Sequence, residues 1–293
     1  NNIIMTKKYD FDQCIDRSNT CSVKTGALDE LYGNDQLIPL WIADMDFLCA
    51  PEITEALKER VEHGIFGYAK PSDDYFNAIT NWLYKRHNWE VKKEHICFVP
   101  GVVKGFAFAI ELFAGEEDKI IIQPPVYPPF KATTEGLNRT IVNNPLILEN
   151  GQYRMDFDHL RQLAQTGCKM LILCNPHNPG GRTWSKEELA EVAEICYDND
   201  ILVVSDEIHS DLALPGNRHV PFATVSEKAA KNNITLMAPS KTFNIAGLVS
   251  SFAVVENEEI RERYFNYLTA RQLNEGTIFG YLGAQYAYKY GEQ

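Results

Sequence analysis

From about residue 96 onward, short apolar runs alternate with longer stretches of helical spacing. HICFVP (95–100) leads into GVVKGFAFAIELFA (101–114), and KIIIQ (119–123) into a loop and helix from Tyr127 to Leu137. KMLILC (169–174) is followed by SKEELAEVAEICYDN (185–199), where Ser185 and Glu188 have the spacing of a capping box. ILVVS (201–205) predicts the next strand, and Ile234 to Met237 another. Upstream, PEITEALKERVEH (51–63) and YFNAITNWLYKRHN (75–88) carry helical spacing, while residues 1–45 are mixed in pattern.

The strand segments are continuously apolar rather than alternating. Such strands are covered on both faces, which predicts a mainly parallel sheet between helical layers, an α/β architecture. LVSSFAVVE (248–256) follows residue 241 too closely for a helical crossover, so it is expected to pair antiparallel with the strand at 234–238.

In such sheets ligands gather outside the carboxyl ends of the strands. Five stretches fall there: Gly101-Val102-Val103, Pro125 to Tyr127, Asn175 to Gly181, Asp206 to His209, and Ser240-Lys241. Taken singly each is ordinary. A lysine after a strand is usually solvated, a glycine before a helix is usually a turn, and NPHNPGG reads as a loop. In order, after successive strands, they offer an amine, a carboxylate, an aromatic ring, an amide and a helix N-terminus. Those groups suit pyridoxal 5′-phosphate. A lysine joins the cofactor aldehyde, a carboxylate such as Asp206 holds the ring nitrogen protonated, and N–H groups at a glycine-led helix start hold the phosphate.

The remaining composition narrows the field. The net charge of −12 disfavours nucleic-acid backbones and anionic membranes as partners. No apolar run reaches 18 residues, and NNIIMTKKYDFDQC has no signal-peptide core, so a cytoplasmic protein is expected. The seven cysteines are odd in number and irregular in spacing, which predicts reduced thiols, and no metal-ligand spacing is present.

The motifs NPHNPGG, SDEIH and APSKTFNIAG resemble those of class I/II aminotransferase-like enzymes of PLP fold type I. WIADMDF, GIFGYAKP, PPVYPPF and SDEIHSDL are similar, more narrowly, to the cystathionine β-lyase branch, the MalY/PatB group that includes cystalysin. The resemblance implies an α/β/α large domain around a mainly parallel seven-stranded sheet, plus part of a small domain. It divides the chain into 1–45 as a small-domain segment, 46–280 as the large cofactor-binding domain, and 281–293 as the start of a helix leading to a C-terminal lobe.

Carried over by motif position, Lys241 is the cofactor-linked lysine and Asp206 the partner of the ring nitrogen. Asn178 binds the ring oxygen, Tyr127 stacks on the ring, and His209 lies beside it. Gly101, Val102, Val103 and Ser240 hold the phosphate, which Tyr68 reaches from the other subunit of a homodimer with shared sites. Ala43 and Asp44 lie near an amino-acid substrate.

Three positions depart from general aminotransferases: His209 replaces a tyrosine, Val249 an arginine, and Ala238 a serine. They lean toward a C–S β-lyase, with an amino-acid aminotransferase and a PLP-binding regulator of little turnover as alternatives. The arginine that grips the substrate carboxylate in the family has no counterpart in the chain. That leads to two further expectations: poor handling of substrate, and an uncovered apolar surface on the helix at 278–290.

Overall fold

The computed structural model describes residues 9–293. The start of the NNIIMTKKYDFDQC segment lies outside the described residues. The elements are α1 (Val23–Gly26), α2 (Leu28–Tyr32), α3 (Pro51–Glu62), α4 (Asp73–His87), β1 (Ile96–Val99) and α5 (Val102–Phe113). Next come β2 (Lys119–Ile122), α6 (Pro128–Gly136), β3 (Thr140–Asn143), β4 (Ile147–Glu149), β5 (Gln152–Arg154) and α7 (Phe157–Ala164). The remainder is β6 (Cys168–Cys174), α8 (Lys186–Asp198), β7 (Leu202–Asp206), α9 (Glu227–Lys231), β8 (Asn233–Met237), β9 (Ser251–Val254), α10 (Glu258–Ala270) and α11 (Ile278–Tyr290).

Seven strands form one sheet in the order β1-β9-β8-β7-β6-β2-β3. The pairs from β8 through β7, β6, β2 and β3 are all parallel. β9 runs antiparallel to both β8 and β1, as its short connection to β8 requires. All strands except β9 therefore point one way, and their carboxyl ends share one edge of the sheet.

Successive side chains of a strand point to opposite faces, so each apolar run feeds two cores. Met170, Ile172 and Cys174 pack with Phe106 and Ile110 of α5, Phe130 of α6, and Tyr264 and Leu268 of α10. Leu171 and Leu173 pack on the opposite face with Leu160 of α7 and Leu189 and Val192 of α8. On that same side, β1, β8 and β9 are covered by α3, α4 and α11 through Ile53, Ile79, Trp82 and Ala284. The capping box of α8 is formed as its spacing predicts: Glu188 N donates to Ser185 Oγ, and Ser185 N donates to Glu188 Oε2.

The expectation of an uncovered helix at 278–290 is corrected. Tyr281, Ala284, Ala287 and Tyr288 are buried in the same core as Tyr75 and Trp82, because α11 lies against both α3 and α4. All seven cysteines are free thiols. Among the described residues no helix is long and apolar enough to cross a membrane, and no group of three or more His, Cys, Asp or Glu side chains could hold a metal.

Candidate active site

Five chain segments leave the sheet at its common edge. β1 ends at Val99, and Gly101 then opens α5 with φ 128° and ψ 144°, a conformation that glycine alone adopts readily. A Cβ there would meet nothing nearer than Lys104 Cδ at 4.0 Å, so the backbone demands the glycine, not space. No side chain caps α5, and the N–H groups of Val102 and Val103 are those a helix start leaves without an intrahelical acceptor. After β2, Tyr127 stands as the N-cap residue of α6. His177 Nε2 donates to Pro125 O at 2.7 Å and joins this segment to the loop after β6.

β7 ends at Asp206 and Glu207 follows it, two carboxylates that face different surroundings. Glu207 is fully buried and accepts hydrogen bonds from Ser205 Oγ (2.9 Å), His219 Nε2 (2.7 Å) and Phe222 N (2.8 Å). Asp206 is almost as buried but accepts only Ile208 N at 3.1 Å, and it makes no ion pair among the described residues. Burial therefore pushes its carboxyl up to about 7, with Glu207 adding to the rise and Lys241 opposing it. Tyr127 lies close enough to Asp206 that its hydroxyl is raised, first by burial and then by that carboxylate.

Lys241 occupies the turn after β8, between Pro239 and Phe243, whose N–H bonds back to Pro239 O at 3.0 Å. Its amine donates to Ala43 O at 3.1 Å. Burial lowers its pKa, while Asp44 and Asp206 oppose the shift. His209 is also lowered, by burial and then by the Lys241 charge. Thr242 Oγ1 donates to Asp211 Oδ2 at 3.0 Å, and Asp211 in turn accepts from Trp82 Nε1 at 3.1 Å. A cleft of about 290 Å³ is lined by Ala43, Asn178, His209 and Leu214 among others.

The structure thus brings together Lys241, Asp206, Tyr127, His209, Ala43 and Asp44 by contact or charge, with Asn178 on the shared cleft. Gly101, Val102, Val103 and Ser240 stand on the same sheet edge. Tyr68 is not among them; it lies at full exposure between α3 and α4. Two features of the site were not read from the sequence. Asn244 bonds across to the main chain of Met45 and Phe47. Arg17 and Lys24 hold Asp44 and Asp46: Arg17 meets both carboxylates, and Lys24 Nζ reaches Asp44 O at 2.9 Å and Asp46 Oδ2 at 2.7 Å. A left-handed Asn on the loop that carries the lysine is the one local signal that could have pointed to the first.

The model of the family "Aminotransferase class I and II" matches residues 35–273, which span all five strand ends. The chain belongs to this family. It is 43% identical to cystathionine beta-lyase PatB of Bacillus subtilis over 282 residues, 96% of this chain and 73% of that protein. It is 31% identical to protein MalY of Escherichia coli over 265 residues, 90% of this chain and 67% of that one. Among solved structures it superposes on cystalysin from Treponema denticola, which contains a pyridoxal 5′-phosphate cofactor, with a TM-score of 0.92 and 36% identity. That match covers 96% of this chain and 72% of cystalysin. The α/β/α sheet and its order are thus those of fold type I PLP-dependent enzymes.

Proposed function

We propose that the protein is a pyridoxal 5′-phosphate-dependent C–S β-lyase that cleaves cystathionine or related cysteine S-conjugates to pyruvate, ammonia and a thiol. The observation that carries this reading is the 43% identity to a cystathionine beta-lyase across 96% of the chain. The residues also fit the cofactor on structural grounds. Asp206 is a buried carboxylate without an ion pair among the described residues, so it suits a protonated ring nitrogen. The uncapped, glycine-led start of α5 suits a phosphate, since its N–H groups and the helix dipole both favour an anion. Lys241 is an amine with a lowered pKa beside that carboxylate.

When bound, pyridoxal phosphate supplies an electron sink for the pair left on the substrate Cα. The roles of the chain's own groups follow from their chemistry. Lys241 would hold the cofactor aldehyde and, once displaced by the substrate amine, would take the Cα proton; burial favours the uncharged form that a base needs. Asp206 would hold positive charge at the ring nitrogen. Tyr127, Asn178 and His209 would hold the ring, Asn178 as a donor to its oxygen. Val102 and Val103 N–H groups and the Ser240 hydroxyl would hold the phosphate, and Ala43 and Asp44 would flank the substrate. The Cβ–S bond breaks with its electron pair on sulfur, which takes a proton and leaves as the thiol. The three-carbon remainder adds water and yields pyruvate and ammonia.

The enzyme works as a cytoplasmic homodimer, in which Tyr68 reaches the partner's phosphate; its full exposure supports that role. Residues 46–280 form the cofactor-binding unit, the described N-terminal stretch 9–45 belongs to a smaller one, and 281–293 continue α11, which packs on the cofactor-binding unit through Tyr281, Ala284 and Tyr288. His209, Val249 and Ala238 favour elimination over transamination. Val249 stands in a left-handed conformation (φ 52°, ψ 63°), and Ala238 is buried without a hydroxyl to offer the phosphate.

Gly101→Ala is expected to weaken cofactor affinity about tenfold, because an alanine at this φ costs roughly 1–3 kcal/mol and turns the first N–H groups of α5 away. Equilibrium titration with pyridoxal phosphate reads this, and an unchanged Kd would remove α5 from the phosphate site. The activity itself is tested by incubating the protein with L-cystathionine and pyridoxal phosphate without a keto acid. Pyruvate release is the expected result. Turnover that requires a keto acid acceptor would make it an aminotransferase, and full cofactor absorbance without turnover would make it a binding protein.

A further inference from the structure

Asn244 lies three residues beyond Lys241 and has φ 55°, a left-handed conformation that asparagine tolerates better than most residues. Its side-chain amide makes three hydrogen bonds to a segment about two hundred positions earlier in the chain. Nδ2 donates to Met45 O at 3.0 Å and Phe47 O at 2.7 Å, and Oδ1 accepts from Met45 N at 3.0 Å. The amide therefore serves this stretch as a neighbouring strand would, with donor and acceptor both used.

What it holds is one wall of the cleft. Ala43 lines the cleft with Asn178 and His209, and its carbonyl accepts the Lys241 amine at 3.1 Å. Arg17 and Lys24 grip the carboxylates of Asp44 and Asp46 but make no bond to Lys241 or its turn. Among the described residues, Asn244 alone hydrogen-bonds the main chain of 45–47 to the turn that carries the lysine. We infer that Asn244 is a positioning residue: its amide fixes the 43–47 segment over Lys241 and so sets how substrate is seated, without touching it. The inference rests on the proposed lyase reading for its kinetic consequence, but not for the geometry.

Asn244→Gly removes the amide and keeps a residue at ease with positive φ, so it separates the side chain from backbone strain. Asn244→Asp keeps size and the acceptor for Met45 N–H but loses both donations to carbonyls. The first measurement is steady-state cleavage of L-cystathionine. KM is expected to rise about tenfold with kcat changed less than about threefold, the pattern of lost substrate seating. The second uses the cofactor-free full chain and reads acetylation of Lys241 by acetic anhydride through peptide mass spectrometry. At least about threefold faster labelling is expected once the segment opens. If Asn244→Gly does not fold, Asn244→Asp is expected to give both effects. Unchanged KM and unchanged labelling in a folded variant would overturn the inference. A lower melting temperature with labelling unchanged would also overturn it, reducing the residue to a structural one. Faster labelling in a protein whose wild type cleaves no cystathionine would uphold the clamp and sink the lyase reading instead.

Discussion

Lys241→Ala leaves a folded protein that no longer releases pyruvate from cystathionine. Turnover is expected to fall by at least about a thousandfold, since in its proposed role the residue combines the covalent hold on the cofactor with proton removal, and each effect is worth several powers of ten. Folding should survive. The amine is half-buried, and its hydrogen bond goes to the Ala43 carbonyl at the edge of the cleft. The packing of this turn is carried by Phe243 and Ile245, both buried in the core beneath α4 and α11. The melting temperature should therefore move by only a few degrees. A second readout is independent of rate. Borohydride should fix cofactor covalently to the wild-type chain and leave the variant unmodified by mass. A variant that keeps kcat within tenfold of wild type, or still retains cofactor after borohydride, would remove Lys241 from the chemistry.

Why so much of this site could be read in advance lies in the parallel sheet. Once strands are recognised as continuous apolar runs, the topology itself decides that the residues after them share an edge. The runs ending at Val99, Ile122, Cys174, Asp206 and Met237 all form strands, and Gly101, Tyr127, Asn178, Asp206 and Lys241 stand at or just beyond their ends. What escaped the reading has a different character. The hairpin of β4 and β5 is short and half-exposed, although Asn150-Gly151 at its turn, both with positive φ, is a strong local signal. α10 is held by distant contacts such as Tyr264 Oη to Gly105 O at 2.7 Å, and tertiary packing of this kind leaves little trace in a local pattern.

The same limit applies within the site. Asn244 meets Met45 and Phe47 across nearly two hundred residues, and no spacing rule links them. Glu207 and Asp206 are neighbours in one motif and chemically alike, yet their surroundings divide them. Glu207 has its oxygens taken by Ser205, His219 and the Phe222 N–H, which makes it part of the frame. Asp206 keeps a carboxyl with a single protein donor, facing Lys241 and Tyr127.

That contrast gives Asp206→Asn opposite effects on stability and on rate. In the folded chain burial raises the Asp206 carboxyl from 3.8 to about 7, so the native state holds this proton more tightly than the unfolded state does. Stability from this group is fully present below pH 4 and is lost as pH rises through 7. A gap of this size corresponds to at most about 4 kcal/mol, at roughly 1.4 kcal/mol for each pH unit. Cofactor-free Asp206→Asn, with no proton to lose, should therefore melt several degrees higher than cofactor-free wild type at pH 8 and close to it at pH 4. A cation bound beside Asp206 reverses the sense of the shift, so cofactor should stabilise wild type more than the variant, and more strongly as pH rises. The rate moves the other way. An amide cannot hold the ring nitrogen in its charged form, and a charge pair in a low-dielectric site is worth several kcal/mol, on the order of a thousandfold in kcat. Thermal melts of both proteins across pH 4–8, with and without pyridoxal phosphate, and kcat at saturating cofactor test the two halves together. Equal melting at pH 8 would mean that Asp206 is not a strained carboxylate, and kcat within tenfold of wild type would mean that it does not face the ring.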